Sequence, residues 1–186
     1  MSQFLTDILS GAGALGRLSS NGKRATQRCP CGFYTDPRQQ CTCTLPQMQR
    51  YKAKLSGPLL DRIDIQVEVP PVNFQEISAE RLGESSLEIK KRVVEARAIQ
   101  HKRFEGMRIY CNALMAARQV RQFCRIDEDS QLLLRQAMEK LGLSARAYTR
   151  IVKVSRTIAD LEGEERIKSH HIAEAIQYRS LDRALV

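Results

Sequence analysis

From Ser85 onward the only sustained period in this chain is helical, and that limits the fold more than any other feature. Ser85 or Ser86 is placed to cap a long helix in which Ile89, Val93 and Ala96 recur on one side while Lys90, Lys91, Arg92 and Arg97 face outward. That helix is expected to end near Glu105-Gly106, and a shorter one carrying Val120 and Phe123 follows Ala113. Asp127 caps the next, where Leu134, Ala137, Met138 and Leu141 fall at i, i+3, i+4 and i+7 before Gly142 stops it. Ser144 begins another, with Tyr148, Ile151, Val152 and Ser155 inward and Ile158 and Ala159 continuing the stripe. Ser169 starts the last, with Ile172, Ala175 and Ile176 inward. Residues 85–186 therefore read as a small helical bundle, and the chain as mainly α.

Upstream the pattern changes. Residues 1–28 are rich in Ser, Gly and polar residues without a period, and read as poorly ordered apart from a short helix around Phe4 to Leu9. Pro46 opens a helix after Thr44 that runs through Met48, Tyr51, Lys52 and Leu55 until Ser56-Gly57 breaks it. Pro58 suits the first turn of another, since its missing N–H would be unpaired there anyway. The alternating Ile63, Ile65, Val67 and Val69 then read as a buried strand, closed by Pro70-Pro71, with 71–84 as a linker. A chain of 186 residues holds one domain or a small pair, and 42% hydrophobic residues suffice for a core.

Arg62 sits at the junction between that helix and strand. An always-charged planar guanidinium at such an edge can reach across a subunit interface toward a transferred phosphoryl group, or form a surface ion pair with Asp61 or Asp64. On the Ser144 helix, Arg146, Arg150 and Lys153 fall at i, i+4 and i+7, a cationic row that begins at the positive end of the helix. The row reads either as an anion site or as a solvated basic face. Cys29, Cys31, Cys41 and Cys43 form two C-x-C pairs nine residues apart. They are either four thiolates for one zinc, at a spacing tighter than the usual one, or free thiols in a reducing cytosol. Cys111 and Cys124 read as separate, partly buried thiols, and the adjacent His170-His171 as surface or capping groups, since neighbours on a helix point about 100° apart.

Other chemistry is not signalled. Gly11 to Gly16 is followed by Arg17 and Leu18 where a phosphate-cradling loop needs Lys and a hydroxyl, and Asn21-Gly22-Lys23 lacks the preceding glycine and the hydroxyl. This chain alone is therefore not expected to hydrolyse ATP. The formal charge of +9 favours polyanionic partners such as DNA, although 5% aromatic residues and no Trp leave little material for base stacking. No run of about 18 apolar residues marks a membrane span, and Met1 to Leu18 lacks a basic leader, so a cytoplasmic location is expected.

Several motifs in order resemble the magnesium-chelatase-like AAA+ ATPases, in particular the YifB/ComM competence group: Cys29-Pro30-Cys31-Gly32, Cys41-Thr42-Cys43, Ser56 to Asp64, Leu143 to Tyr148, Ile158 to Gly163 and Ala173 to Arg179. The resemblance implies that 29–70 is the C-terminal remnant of an α/β AAA+ core, a helix plus a strand, with the Cys-rich loop and the arginine-finger segment. It implies that 85–186 is the helical lid domain. In the intact family these proteins are ATP- and Mg²⁺-dependent ring oligomers, hexamers, and ComM-type members move DNA branches during natural transformation. Arg62 would then act in trans on a neighbour's ATP, and Arg146 would be the sensor-two arginine in cis, with Arg150 as the fallback. Relatives lead into the Cys motif with a strand ending in Asn-Pro, whereas Gln27-Arg28 stand here. Two other classes remain open, a basic nucleic-acid-binding module and a zinc-stapled interaction module.

Overall fold

Ser85, Asp127 and Ser144 set the starts of three helices by accepting backbone N–H groups of the first turn. The computed structural model describes residues 29–34, 36, 38–53, 63–67, 69 and 83–179, so the reading of 1–28, Arg62 and nearly all of the 71–84 linker lie outside the described residues. Helix α1 spans Leu45–Lys52 with Pro46 in its first turn, and the Thr44 N–H donates to Gln47 Oε1 at 2.9 Å. It ends at Lys52, before the expected stop at Ser56. Helix α2, Ser86–Arg103, begins in a reciprocal cap: Ser85 Oγ accepts the Glu88 N–H at 3.2 Å while the Glu88 carboxylate accepts from the Ser85 N–H at 3.4 Å.

The helix expected after Ala113 is preceded by a 3₁₀ turn, Asn112–Leu114, and starts only at Ala117, giving α3 as Ala117–Phe123. Helix α4, Glu128–Leu141, is capped by Asp127, which accepts the Ser130 N–H at 2.8 Å. Gly142 at φ +62 turns the chain out of α4, a conformation in which a Cβ would be strained. Helix α5, Ala145–Leu161, is capped by Ser144, and helix α6 is Ser169–Gln177.

Helix α5 is the centre of the bundle. From Ile151 to Asp160 every residue but Lys153 is buried, and α2, α3, α6 and the 3₁₀ turn all pack on it. Ile151, Val152, Val154 and Ile158 meet Leu134 of α4, Phe104, Met115, Ile167 and Ile172 in one core. Tyr148, expected inward, is 40% exposed, while its neighbour Ala147 is the fully buried residue of the first turn.

No β-strand occurs among the described residues, which include 63–67 and 69 of the expected strand. Instead of pairing with a strand, the segment uses its backbone toward the bundle: the Gln66 N–H donates to the Tyr178 carbonyl at 2.8 Å, and Arg179 Nη1 donates to the Ile63 carbonyl at 2.6 Å. Ile65 packs against the core, whereas Val67 and Val69 are 43% and 80% exposed.

Candidate anion and metal sites

Ser144 Oγ accepts the Ala147 N–H at 3.2 Å and so fixes where α5 begins. Arg146 consequently lies in the first turn, where unpaired N–H groups concentrate positive potential. Arg146, Arg150 and Lys153 line one cavity of about 400 Å³ with Asp64, Ala113 and Thr149, within the size range of small-ligand sites.

The three cations of the row are in different states. Lys153 is half-buried and donates to the Ala113 carbonyl at 2.9 Å. Burial, then the charge of Arg150, holds its pKa below the ordinary lysine value. Arg150 is ion-paired with the Asp64 carboxylate. Arg146 is exposed and has no hydrogen-bond or ion-pair partner among the described residues. A cation at a helix N-terminus opposes the helix dipole by about 0.3–1 kcal/mol, so Arg146 and the helix end both favour an anion between them. Arg62 lies outside the described residues; of those that follow it, Asp64 pairs with Arg150 of α5 and the Ile63 carbonyl accepts from Arg179, just beyond α6.

The four cysteines of the two C-x-C pairs come together. All four Sγ atoms lie within 4.8 Å of one another, with Cys29 to Cys31 at 3.3 Å, Cys31 to Cys41 at 3.5 Å and Cys29 to Cys41 at 3.7 Å. A tetrahedral zinc with Zn–S bonds of about 2.3 Å has sulfur–sulfur edges of about 3.8 Å, so the donors fit that ion. Gly32 at φ +84, with its N–H donating to the Cys29 carbonyl at 3.1 Å, makes the turn that lets so tight a pair converge. A backbone N–H bond at Phe33 is the main cause that lowers the Cys31 thiol to about 6. Cys43 has the opposite balance: a backbone bond at Cys31 favours its thiolate, but burial and the neighbouring thiols together push it up to about 12. Cys111 and Cys124 are buried elsewhere, more fully than their sequence context suggested.

His170 lies at the surface and His171 caps the start of α6, as read from the sequence, but the two rings also share a partner that the helix spacing did not suggest. His170 is exposed and His171 buried, yet both Nε2 atoms meet Glu162 Oε2, at 3.1 and 2.9 Å. The rings reach beyond the helix end to a common partner at the close of α5, so the 100° between their Cβ directions does not keep them apart. His171 Nδ1 accepts the Lys168 N–H at 2.9 Å, which leaves Nε2 as the protonated nitrogen and a donor to Glu162. This tautomer is a hydrogen-bonded staple between α5 and α6; a metal would need the same Nε2 without its proton. Burial opposes the Glu162 carboxylate, but the bonds from His171 and His170 outweigh it and hold its pKa below the usual value.

Sequence reasoning missed the polar centre on which α5 is anchored. Asp160, fully buried, accepts from Arg103 through both oxygens, from Asn112 Nδ2 at 2.7 Å and from Arg156 Nε at 3.1 Å. Arg156 and Asp160 stand at i and i+4 within an apolar helix, and that was the available signal.

Fold and sites together define an all-α domain that offers a cationic cavity at a helix N-terminus, carried with a tetrathiol cluster on the same chain. Residues 83–179 match the profile of the magnesium chelatase subunit ChlI C-terminal domain, and residues 23–77 that of magnesium chelatase subunit ChlI. The chain is 41% identical over 159 residues to competence protein ComM of Haemophilus influenzae. It is 39% identical over 158 residues to YifB of Escherichia coli and 38% over 159 to YifB of Salmonella typhimurium. In each case 84% of this chain is covered but only 30% of the relative's length. The chain belongs to the magnesium chelatase ChlI-like family, in its ComM/YifB branch. Among the described residues no helix is long and apolar enough to cross a membrane.

Proposed function

We propose that this chain carries the lid side of a ComM/YifB-type AAA+ motor, an ATP- and Mg²⁺-dependent ring that processes DNA, with branch migration during natural transformation as its task. On this reading 29–70 belongs to the nucleotide-binding core, 71–84 is a linker and 85–186 is the helical lid. Arg62 acts in trans on the phosphates of a neighbouring subunit's ATP, and Arg146 contacts the γ-phosphate of the nucleotide beneath its own lid. The observation that carries the proposal is Arg146: a guanidinium in the first turn of α5 with no partner among the described residues, facing a cavity already lined by two further cations. Arg150 is the weaker choice for that contact because Asp64 engages it. The net charge of +9 suits a DNA partner.

The test mixes this chain with a full-length relative whose own arginine finger has been removed, and follows ATP turnover. Native chain restores turnover and Arg62→Ala does not, a difference of about 10³-fold at the completed site. Equal turnover with both forms would refute the trans role.

The cysteine cluster supports a structural zinc ion in the same assembly. Cys29, Cys31, Cys41 and Cys43 would hold it, and the ion would cross-link a loop too short to own a core.

A further inference from the structure

Between Glu105 and Asp127 the chain carries no acidic residue, while Arg108, Arg118, Arg121 and Arg125 all fall there. The four arginines are exposed, and none has a hydrogen-bond or ion-pair partner among the described residues. Elsewhere on the bundle cations alternate with acids: Arg92 pairs with Glu84, Lys168 pairs with Glu164, and Arg135 and Lys140 flank Glu139 on α4. Exposed like charges without acids among them repel one another, and an external polyanion relieves that repulsion.

The packing of α3 explains why its arginines face outward. Val120 and Phe123 lie against the core, with the Phe123 ring edge-on to Phe104 at a centroid distance of 5.6 Å. Arg118 and Arg121 each stand two residues before one of these, about 200° round the helix on the far side. The Ala116 N–H donates to Gln119 Oε1 at 3.1 Å and fixes the first turn, and Arg125 follows the buried Cys124. Tyr110, 47% exposed in the connection leading to α3, adds a hydroxyl donor. Because the charges are carried on a packed element, binding an anion orders little beyond the side chains themselves.

We infer that the outer side of α3, with Arg118 and Arg121 on the helix and Arg108 and Arg125 flanking it in sequence, is a docking surface for the DNA backbone. This inference rests on the DNA partner proposed above and adds where the chain holds it. Duplex DNA carries one negative charge per about 1.7 Å of its axis, so guanidiniums on a rigid face meet phosphates in any register. The planar fork of arginine matches phosphate oxygens in pairs. Such contacts position the duplex without reading its sequence, which is what movement along DNA requires. The surface is distinct from the cavity at Arg146, whose cations all belong to α5.

The test measures fluorescence anisotropy of a labelled duplex of mixed sequence with the full chain, between about 50 and 200 mM salt. The logarithm of the binding constant falls against the logarithm of salt with a slope of about −3 to −4, as four phosphate contacts give. Arg118→Ala combined with Arg121→Ala flattens the slope by about two and weakens binding about tenfold or more at the lowest salt, whereas the paired lysine variants keep the slope. Arg135→Ala combined with Lys140→Ala removes the same charge from α4 and leaves the slope unchanged. Equal effects of the α3 and α4 alanine pairs would overturn the surface, because net charge alone would then explain the binding. Binding by the native chain that is indifferent to the α3 pair would also overturn it and leave the DNA partner standing. Displacement of the duplex by poly-glutamate at equal charge concentration would overturn DNA as the occupant in favour of an acidic protein. A native chain that binds no duplex refutes both the surface and this chain's DNA contact, while the ATP-turnover test still decides the trans role of Arg62.

Discussion

Replacing Asp160 by Asn tests whether the buried polar centre, as much as the apolar core, holds α5 in place. The carboxylate side chain is fully buried and receives donors from Arg103, Asn112 and Arg156, while Arg156 also donates to the Glu165 and Glu164 carbonyls at 2.7 and 2.5 Å. Asn keeps the shape but removes the charge, and its NH₂ faces a donor whichever way the amide is turned. Burial already works against the Arg156 charge, with Asp160 the chief opposing influence. Removing one member of a buried, hydrogen-bonded pair costs about 3–5 kcal/mol. That is a fifth or more of the 5–15 kcal/mol typical of a domain. With a urea slope of about 2 kcal/mol per molar, the midpoint followed by far-ultraviolet circular dichroism falls by about 2 M. Asp129→Asn, at an exposed first-turn position of α4, is the control and shifts the midpoint by less than about 0.3 M. A loss below about 1 kcal/mol in Asp160→Asn at unchanged slope would refute the reasoning, because a well-paired buried carboxylate cannot be that dispensable.

Chain purified without chelators is expected to carry about one zinc, measured by elemental analysis, and Cys31→Ser to lose it. A folded native chain with no bound metal would sink the zinc assignment. Glu162 gives a pH dependence: its pKa is depressed in the fold, so its contribution is present above the unfolded value of about 4.3 and is lost as pH falls through the folded one. Glu162→Gln should therefore flatten the decline of stability between about pH 5 and pH 3, and identical acid curves for the two proteins would count against the staple.

The helical half was legible because its signals are local. Ser85, Asp127 and Ser144 cap where their sequence context places them, and Gly142 ends α4 in the left-handed conformation that only glycine adopts without strain. What failed depended on partners distant in sequence. The alternation of Ile63, Ile65, Val67 and Val69 specifies extended backbone, and nothing local says that its hydrogen bonds go to Tyr178 and Arg179, more than a hundred residues on. The convergence of His170 and His171 needed Glu162 brought beneath them by the turn between α5 and α6. The cysteine array was legible as a set of four, but C-x-C spacing alone left its convergence open until the turn at Gly32 was seen. The row of Arg146, Arg150 and Lys153 was read as a unit, and the structure divides it into a cation with no partner among the described residues, an ion-paired one and a half-buried one.

That division follows from how α5 is used along its length. Its first turns face the cavity and carry charges that repel one another. From Ile151 onward it is enclosed by the core and fixed by Arg156 and Asp160. The two regions are joined through the 3₁₀ turn: Lys153 holds the Ala113 carbonyl, and the adjacent Asn112 donates to Thr157 at 3.1 Å and to Asp160 at 2.7 Å. An unpaired cation at a helix start is tolerable only where the rest of the helix is over-determined, since the same charge on a marginal helix would fray it. Asp160→Asn should therefore weaken anion binding at Arg146 even under conditions where the chain stays folded, although the two residues are four turns of helix apart.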